Sequence, residues 1–124
     1  AVEAAARYAA VLTSVLGGEP LDVAQCGMGP DGHTASLFPG DTRVLDRQEL
    51  AAGFWAEDRQ QWRITLLPGP ILRARHLCVL ATGADKAPAL ARALRGPEDP
   101  VATPAQILRG AEWFVDEHLF SSCV

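Results

Sequence analysis

Residues 25–40 read QCGMGPDGHTASLFPG. The stretch leaves a short apolar run, LDVAQC (21–26), and brings Gly27, Gly29 and Gly32 close together. Two chemistries use such a loop. Gly27-x-Gly29-x-x-Gly32 after a strand has the form of a dinucleotide-binding turn, where glycines let the backbone approach a pyrophosphate at a helix N-terminus. The same loop sets Asp31 and His33 two positions apart, which suits a catalytic turn. The dinucleotide form needs a long helix directly after the loop and an acidic residue at the end of the next strand. Pro39-Gly40 closes the segment after HTASLF, leaving room only for a short helical turn. Asp46 and Glu49 fall in a charged stretch with no strand pattern. The catalytic form asks for less. Histidine is the natural general base near neutral pH, so His33 takes that part. Asp31 would orient the imidazole or contact substrate, and Thr34 and Ser36 add hydroxyls. The plain alternative makes Asp31 a turn residue and His33 the start of a helical turn.

Outward from this loop, the chain alternates strand and helix patterns. Ala5, Tyr8, Ala9, Leu12, Val15 and Leu16 recur at helical spacing before Gly17-Gly18. LDVAQC reads as a buried strand. AAGFWAE and QWRITLL read as two strands around a polar turn, and PGPILRAR as a loop or short helix. HLCVLAT (76–82) is a continuous apolar strand, ADKAPALARALRG a helix with Pro88 in its first turn, and AEWFVDE a last short strand. This order predicts a single α/β domain over residues 1–124 with a largely parallel sheet. Ligands of such sheets bind at the carboxyl ends of strands, which points to Cys26-Gly27 and Thr82-Gly83.

Composition narrows the partners. Of 124 residues, 48% are hydrophobic and 21% charged, with net charge −4. That balance argues against a general nucleic-acid or anionic-membrane surface. The apolar runs are too short to span a membrane, and the start shows no basic segment followed by an apolar one. Cys26, Cys78 and Cys123 form no CxxC pair, so no zinc or redox motif is expected. Sparse, odd cysteines predict reduced thiols in a cytoplasmic setting, with Cys26 and Cys78 as small buried hydrophobes in strands. His76 and His118 lack ligand-spaced partners and read as structural. Trp55, Trp62 and Trp113 read as core residues.

GMGPDGHTASLFPG resembles the signature of the 6-phosphogluconolactonases, a family that shares a superfamily with glucosamine-6-phosphate deaminases/isomerases. The resemblance continues through LDVAQCGMG, WRITL, RARHLCVLATGADKAPALARALRG, and EDPVATPAQIL followed by EWFVD. It covers nearly the whole chain but matches only the C-terminal half of the family domain. The family's N-terminal Gly-Gly-x-Thr-Pro phosphate loop and Asp-Glu-Arg segment do not occur here. The implied fold is a Rossmann-like, largely parallel sheet with flanking helices, present as an incomplete, C-terminal portion. One departure stands out: Leu72 occupies the place where the family usually carries asparagine.

The resemblance implies hydrolysis of 6-phospho-D-glucono-1,5-lactone to 6-phosphogluconate. A lactone is an activated ester, so a base and an oxyanion donor suffice, with no cofactor and no metal. His33 would activate water, and Asp31 would orient it or hold sugar hydroxyls. Gly27, Gly29 and Gly32 would line the sugar or offer N–H groups to the oxyanion. Arg63 and Lys86 resemble the family's phosphate-contacting residues. The nearest rival, a sugar-phosphate isomerase/deaminase, continues after the histidine with Ile-Ala-Phe-Asn-Glu-Pro. Here the continuation is Thr34-Ala35-Ser36-Leu37-Phe38-Pro39, without that acidic residue. A second rival is a non-catalytic half-domain that pairs with a partner half, or self-associates, through an exposed sheet edge.

Overall fold

In a computed structural model, which describes residues 1–123, the glycine loop sits at the carboxyl end of the first strand. Helix α1 (Val2–Leu16) ends at Gly17, whose left-handed backbone (φ 57°) lets its N–H reach the Thr13 carbonyl. β1 (Val23–Gly27) follows. Then comes a hairpin of β2 (Ala51–Ala56) and β3 (Gln61–Leu66), joined by a 3-10 turn at Glu57–Arg59. α2 (Pro68–Arg73) starts on a proline, where the missing N–H costs nothing. β4 (His76–Ala81), a 3-10 turn at Ala84–Lys86, α3 (Ala87–Arg95), β5 (Glu112–Val115) and α4 (Glu117–Cys123) complete the order.

β1, β4 and β5 form a parallel sheet in that order, while β2 and β3 pair antiparallel as a separate ribbon. The α/β class with a parallel sheet and flanking helices is as the sequence predicts. Alternation along the strands sorts the two faces of the sheet. Ala24, Val79 and Ala81 are buried on one face, with Cys26, Leu77, Trp113 and Val115 packed beside them. There they meet Ile71 of α2, Leu90 and Ala93 of α3, Leu108, and Leu119 of α4. The opposite face carries Val23, Leu80 and Phe114, which are 59%, 51% and 51% exposed. Leu80 stands beside Gly27 on one side and Phe114 on the other. No helix among the described residues is long and apolar enough to cross a membrane.

Four local expectations are corrected. HTASLF is not a helical turn. Thr34 and Leu37 bridge each other across an Ala35-Ser36 turn, with Ala35 at φ 51°. Both bridge residues are fully buried, and the Thr34 hydroxyl donates to the Gly27 carbonyl, so the chain doubles back rather than coiling. Trp55 and Trp62 lie outside the core, 42% and 59% exposed. They alternate with Phe54, Ala56, Arg63 and Thr65, whose face turns inward, and they pack edge-on against each other at 5.7 Å. Cys26 and Cys78 are only partly buried, because Cys26 lies on an edge strand and Cys78 alternates onto the uncovered face. α4 was not anticipated at all. Its signal is Asp116, whose carboxylate accepts the Leu119 N–H at the helix start while Leu119 seats the helix on the core.

Candidate active site at the carboxyl end of the first strand

The glycine loop is wired by its own backbone. The Gly29 N–H donates to the His33 carbonyl and the Gly32 N–H to the Gly29 carbonyl, each at 3.0 Å. The Gly32 carbonyl accepts the Ala105 N–H at 2.9 Å. Two of the glycine donors expected for an oxyanion are therefore spent inside the loop. Gly29 is needed for space: a Cβ there would run into the His33 imidazole. Gly32 is needed for conformation, at φ 91°, with Thr103 Cγ2 3.1 Å from where a Cβ would sit.

This wiring brings Asp31 and His33 together. Asp31 Oδ1 lies 2.6 Å from His33 Nδ1 and also accepts the His33 backbone N–H at 3.0 Å. The imidazole Nδ1 donating to a carboxylate leaves Nε2 as the lone-pair nitrogen, the form a general base needs. Nε2 has no hydrogen-bond partner among the described residues. Burial works to raise the Asp31 carboxyl, but the His33 backbone N–H, the His33 imidazole and Arg59 outweigh it. The group is held below its usual range and stays ionised. Burial pushes the Cys26 thiol up, despite a hydrogen bond with Thr34, which keeps it protonated and weakly nucleophilic.

His33 opens onto a cleft of about 470 Å³ at the ends of β1 and β4, shared with Gly27, Gly29, Ala35, Leu80 and Lys86. Lys86, far along the sequence, is thus brought to the same cleft as His33. Arg63 is not. Its guanidinium sits 5.8 Å from the centroid of the Phe38 ring, which in turn lies 5.2 Å from the His33 ring. Arg63 Nε is buried without a hydrogen-bond partner, an unspent donor. Gly32 likewise supports the loop without lining the cleft. Among the described residues no three His, Cys, Asp or Glu side chains converge as metal ligands.

Sequence reasoning missed Arg59. It stands in the hairpin turn, donates to Asp31 Oδ2 at 2.8 Å and lies 4.1 Å over the Phe38 ring. Nothing in the spacing of Arg59 marks it, because the contact depends on the hairpin folding over the loop. The Ser36 N–H makes that docking specific by donating to Thr65 Oγ1 of β3 at 3.0 Å.

The chain is 35% identical to a 6-phosphogluconolactonase of Rattus norvegicus, an alignment covering 93% of this chain and 47% of that protein. It is 37% identical to one of Mycobacterium tuberculosis, over 91% of this chain and 49% of the relative. The solved 6-phosphogluconolactonase from Trypanosoma cruzi superposes with a TM-score of 0.83 at 26% identity, covering 97% of this chain and 51% of that one. The chain thus spans about half the length of the relatives it matches. A family model described as glucosamine-6-phosphate isomerases/6-phosphogluconolactonase matches residues 1–116. On this match, the chain belongs to the glucosamine-6-phosphate isomerase/6-phosphogluconolactonase family.

Proposed function

We propose that this chain is the histidine-bearing, C-terminal portion of an enzyme that hydrolyses 6-phospho-D-glucono-1,5-lactone to 6-phosphogluconate. The observation that carries the proposal is the Asp31–His33 pair. One imidazole nitrogen is committed to a carboxylate at 2.6 Å and the other is unpartnered, in a cleft that also holds Lys86. In the proposed step, His33 Nε2 takes a proton as a water oxygen bonds to the lactone carbonyl carbon. The carbonyl electron pair moves to its oxygen. When that tetrahedral oxyanion collapses, the bond from carbon to ring oxygen breaks and His33 returns the proton to the ring oxygen. The products are a carboxylic acid, which ionises, and a free hydroxyl. Lys86 supplies positive charge for the phosphate from within the cleft. Arg63, with its unspent Nε and its guanidinium 5.8 Å from the Phe38 ring, is the second proposed cation. Gly27 and Gly29 line the sugar side.

The residues after His33, Thr34-Ala35-Ser36-Leu37-Phe38-Pro39, favour the lactonase over an isomerase/deaminase, in which an acidic residue follows the histidine. A further reading, a half-domain that works only with a complementary partner, is favoured by the uncovered sheet face with Val23, Leu80 and Phe114. Parallel sheets are ordinarily covered on both faces.

The test is hydrolysis of lactone generated in situ, with the spontaneous rate subtracted. It would compare the chain alone, the chain co-expressed with the N-terminal half of the Mycobacterium tuberculosis relative, and His33→Ala in each setting. Turnover that the His33→Ala chain lacks is the expected result. Glucosamine-6-phosphate is the control substrate. If neither preparation exceeds the spontaneous rate, the lactonase assignment of this chain is wrong.

A further inference from the structure

We propose that Arg59 is a positioning residue that locks the Asp31 carboxylate, and through it the tautomer and orientation of His33. The inference rests on His33 being the base, but its test does not require turnover. Asp31 Oδ1 already serves two donors of His33, its Nδ1 and its backbone N–H. A carboxylate held through one oxygen can still pivot about its Cβ–Cγ bond and trade that oxygen for the other. The Arg59 Nη2 contact to Oδ2 at 2.8 Å closes off this motion by engaging the opposite oxygen. The two partners therefore hold the carboxylate plane from both ends.

Arg59 is itself fixed twice. Its guanidinium carbon lies 4.1 Å from the centroid of Phe38, and the Phe38 ring is 5.2 Å from the His33 ring. Arg59, Asp31, His33 and Phe38 thus form a closed circuit of contacts, with the arginine arriving from the hairpin and the other three from the glycine loop. Arg59 does not line the cleft that His33 shares with Lys86. It lines a neighbouring one, with Phe38, Asp41, Arg43 and Phe54. It therefore acts through Asp31 rather than on the substrate. The Arg59 and Asp31 side chains are 31% and 39% exposed, so the ion pair adds little to folding stability. A planar guanidinium can stack and donate at once, which an ammonium cannot.

The experiment is nitrogen-15 NMR of the histidine-labelled whole chain, with His33 assigned by the signals lost in His33→Gln. In the unsubstituted chain, neutral His33 is expected in the form protonated at Nδ1. Arg59→Ala is expected to give a mixture of the two neutral tautomers, and Arg59→Lys to retain more of the Nδ1-protonated form than Arg59→Ala. Arg43→Ala removes a cation that lies 4.0 Å over the Phe54 ring in the same neighbouring cleft, without touching Asp31. It is expected to leave His33 unchanged. If Arg59→Ala fails to fold, Arg59→Gln, which is planar and neutral, carries the same readout. A His33 spectrum unaltered by loss of the arginine overturns the proposal, whatever the activity. In a preparation that turns over lactone, Arg59→Ala should lower kcat about ten-fold with KM unchanged, and a change confined to KM would also overturn it. Absence of turnover together with a shifted tautomer counts against the lactonase assignment, not against the role of Arg59.

Discussion

Gly29 and Gly32 are both glycine for different reasons, and substitution should separate them. At Gly32 an alanine would be forced to φ 91° and pressed against Thr103. We expect Gly32→Ala to cost about 1–3 kcal/mol of stability, measured by denaturant unfolding. At Gly29 an alanine would meet the movable end of His33 and the Asp31 carboxylate. Gly29→Ala should unfold at nearly the denaturant concentration of the unsubstituted chain. Its catalysed lactone hydrolysis, in whichever preparation is active, should drop about a hundred-fold. Asp31 yields a pH prediction. Its carboxyl is lowered in the folded state, so its contribution is fully present above the ordinary carboxylate value and is lost as pH falls through the lowered one. Stability should begin to decline near pH ~4, and Asp31→Asn should flatten that acid limb in unfolding curves recorded from neutral pH downward. The pairing of Asp31 with His33 was legible in the sequence because two positions of a tight turn suffice to make it. Arg59 was not legible, because its contact is tertiary.

Among the elements, the segment after His33 departs most from its sequence pattern. HTASLF has the look of a helix start, yet burial of Thr34 and Leu37 and the Thr34 bond to the Gly27 carbonyl fold it into a bridge. Ala35 bears the strain of that turn, at φ 51° while exposed to solvent. A left-handed backbone costs a non-glycine residue roughly 1–2 kcal/mol, and glycine adds about 0.5–1 kcal/mol of chain entropy. Ala35→Gly should therefore stabilise by about 0.5–1 kcal/mol, read as a rise in the denaturant midpoint at constant slope. The strands were easier to read. A short apolar run into glycine marks β1, a continuous one before Thr82-Gly83 marks β4, and two strand-like stretches around a polar turn mark the hairpin. That reading does not say which hairpin face turns inward. Residue type points Trp55 and Trp62 to the core, whereas it is Phe54 and Thr65 that are buried, with Thr65 docked on the loop through the Ser36 N–H. α4 escaped notice because its identity rests on one capping carboxylate and one buried leucine rather than on a periodic stripe.

For the molecule as a whole, the asymmetry of the sheet is the dominant feature. One face is packed by three helices and the other presents Val23, Leu80 and Phe114. β1 is also an edge strand, with a side cleft of about 390 Å³ lined by Val23, Cys26, Ala35, Ile64 and Leu66. That cleft and the one holding His33 share Gly27 and Ala35, so whatever covers the free edge also borders the proposed catalytic centre. If the uncovered face mediates association, Phe114→Glu should shift sedimentation of the isolated chain toward monomer and weaken complementation by the N-terminal half of a relative. Its circular dichroism should stay unchanged, because this side chain is already half exposed.

The tryptophan pair of the hairpin has a practical consequence. Trp55 and Trp62 stand opposite each other at 5.7 Å and 70°, and the Trp55 indole N–H donates to Glu57 at 2.7 Å. Two indoles this close and steeply inclined couple their electronic transitions, giving a paired positive and negative band in far-ultraviolet circular dichroism. Glu57 begins the turn that carries Arg59. The hairpin thus contains its own optical gauge: the paired bands should persist while β2 and β3 stay in register and vanish in Trp62→Phe.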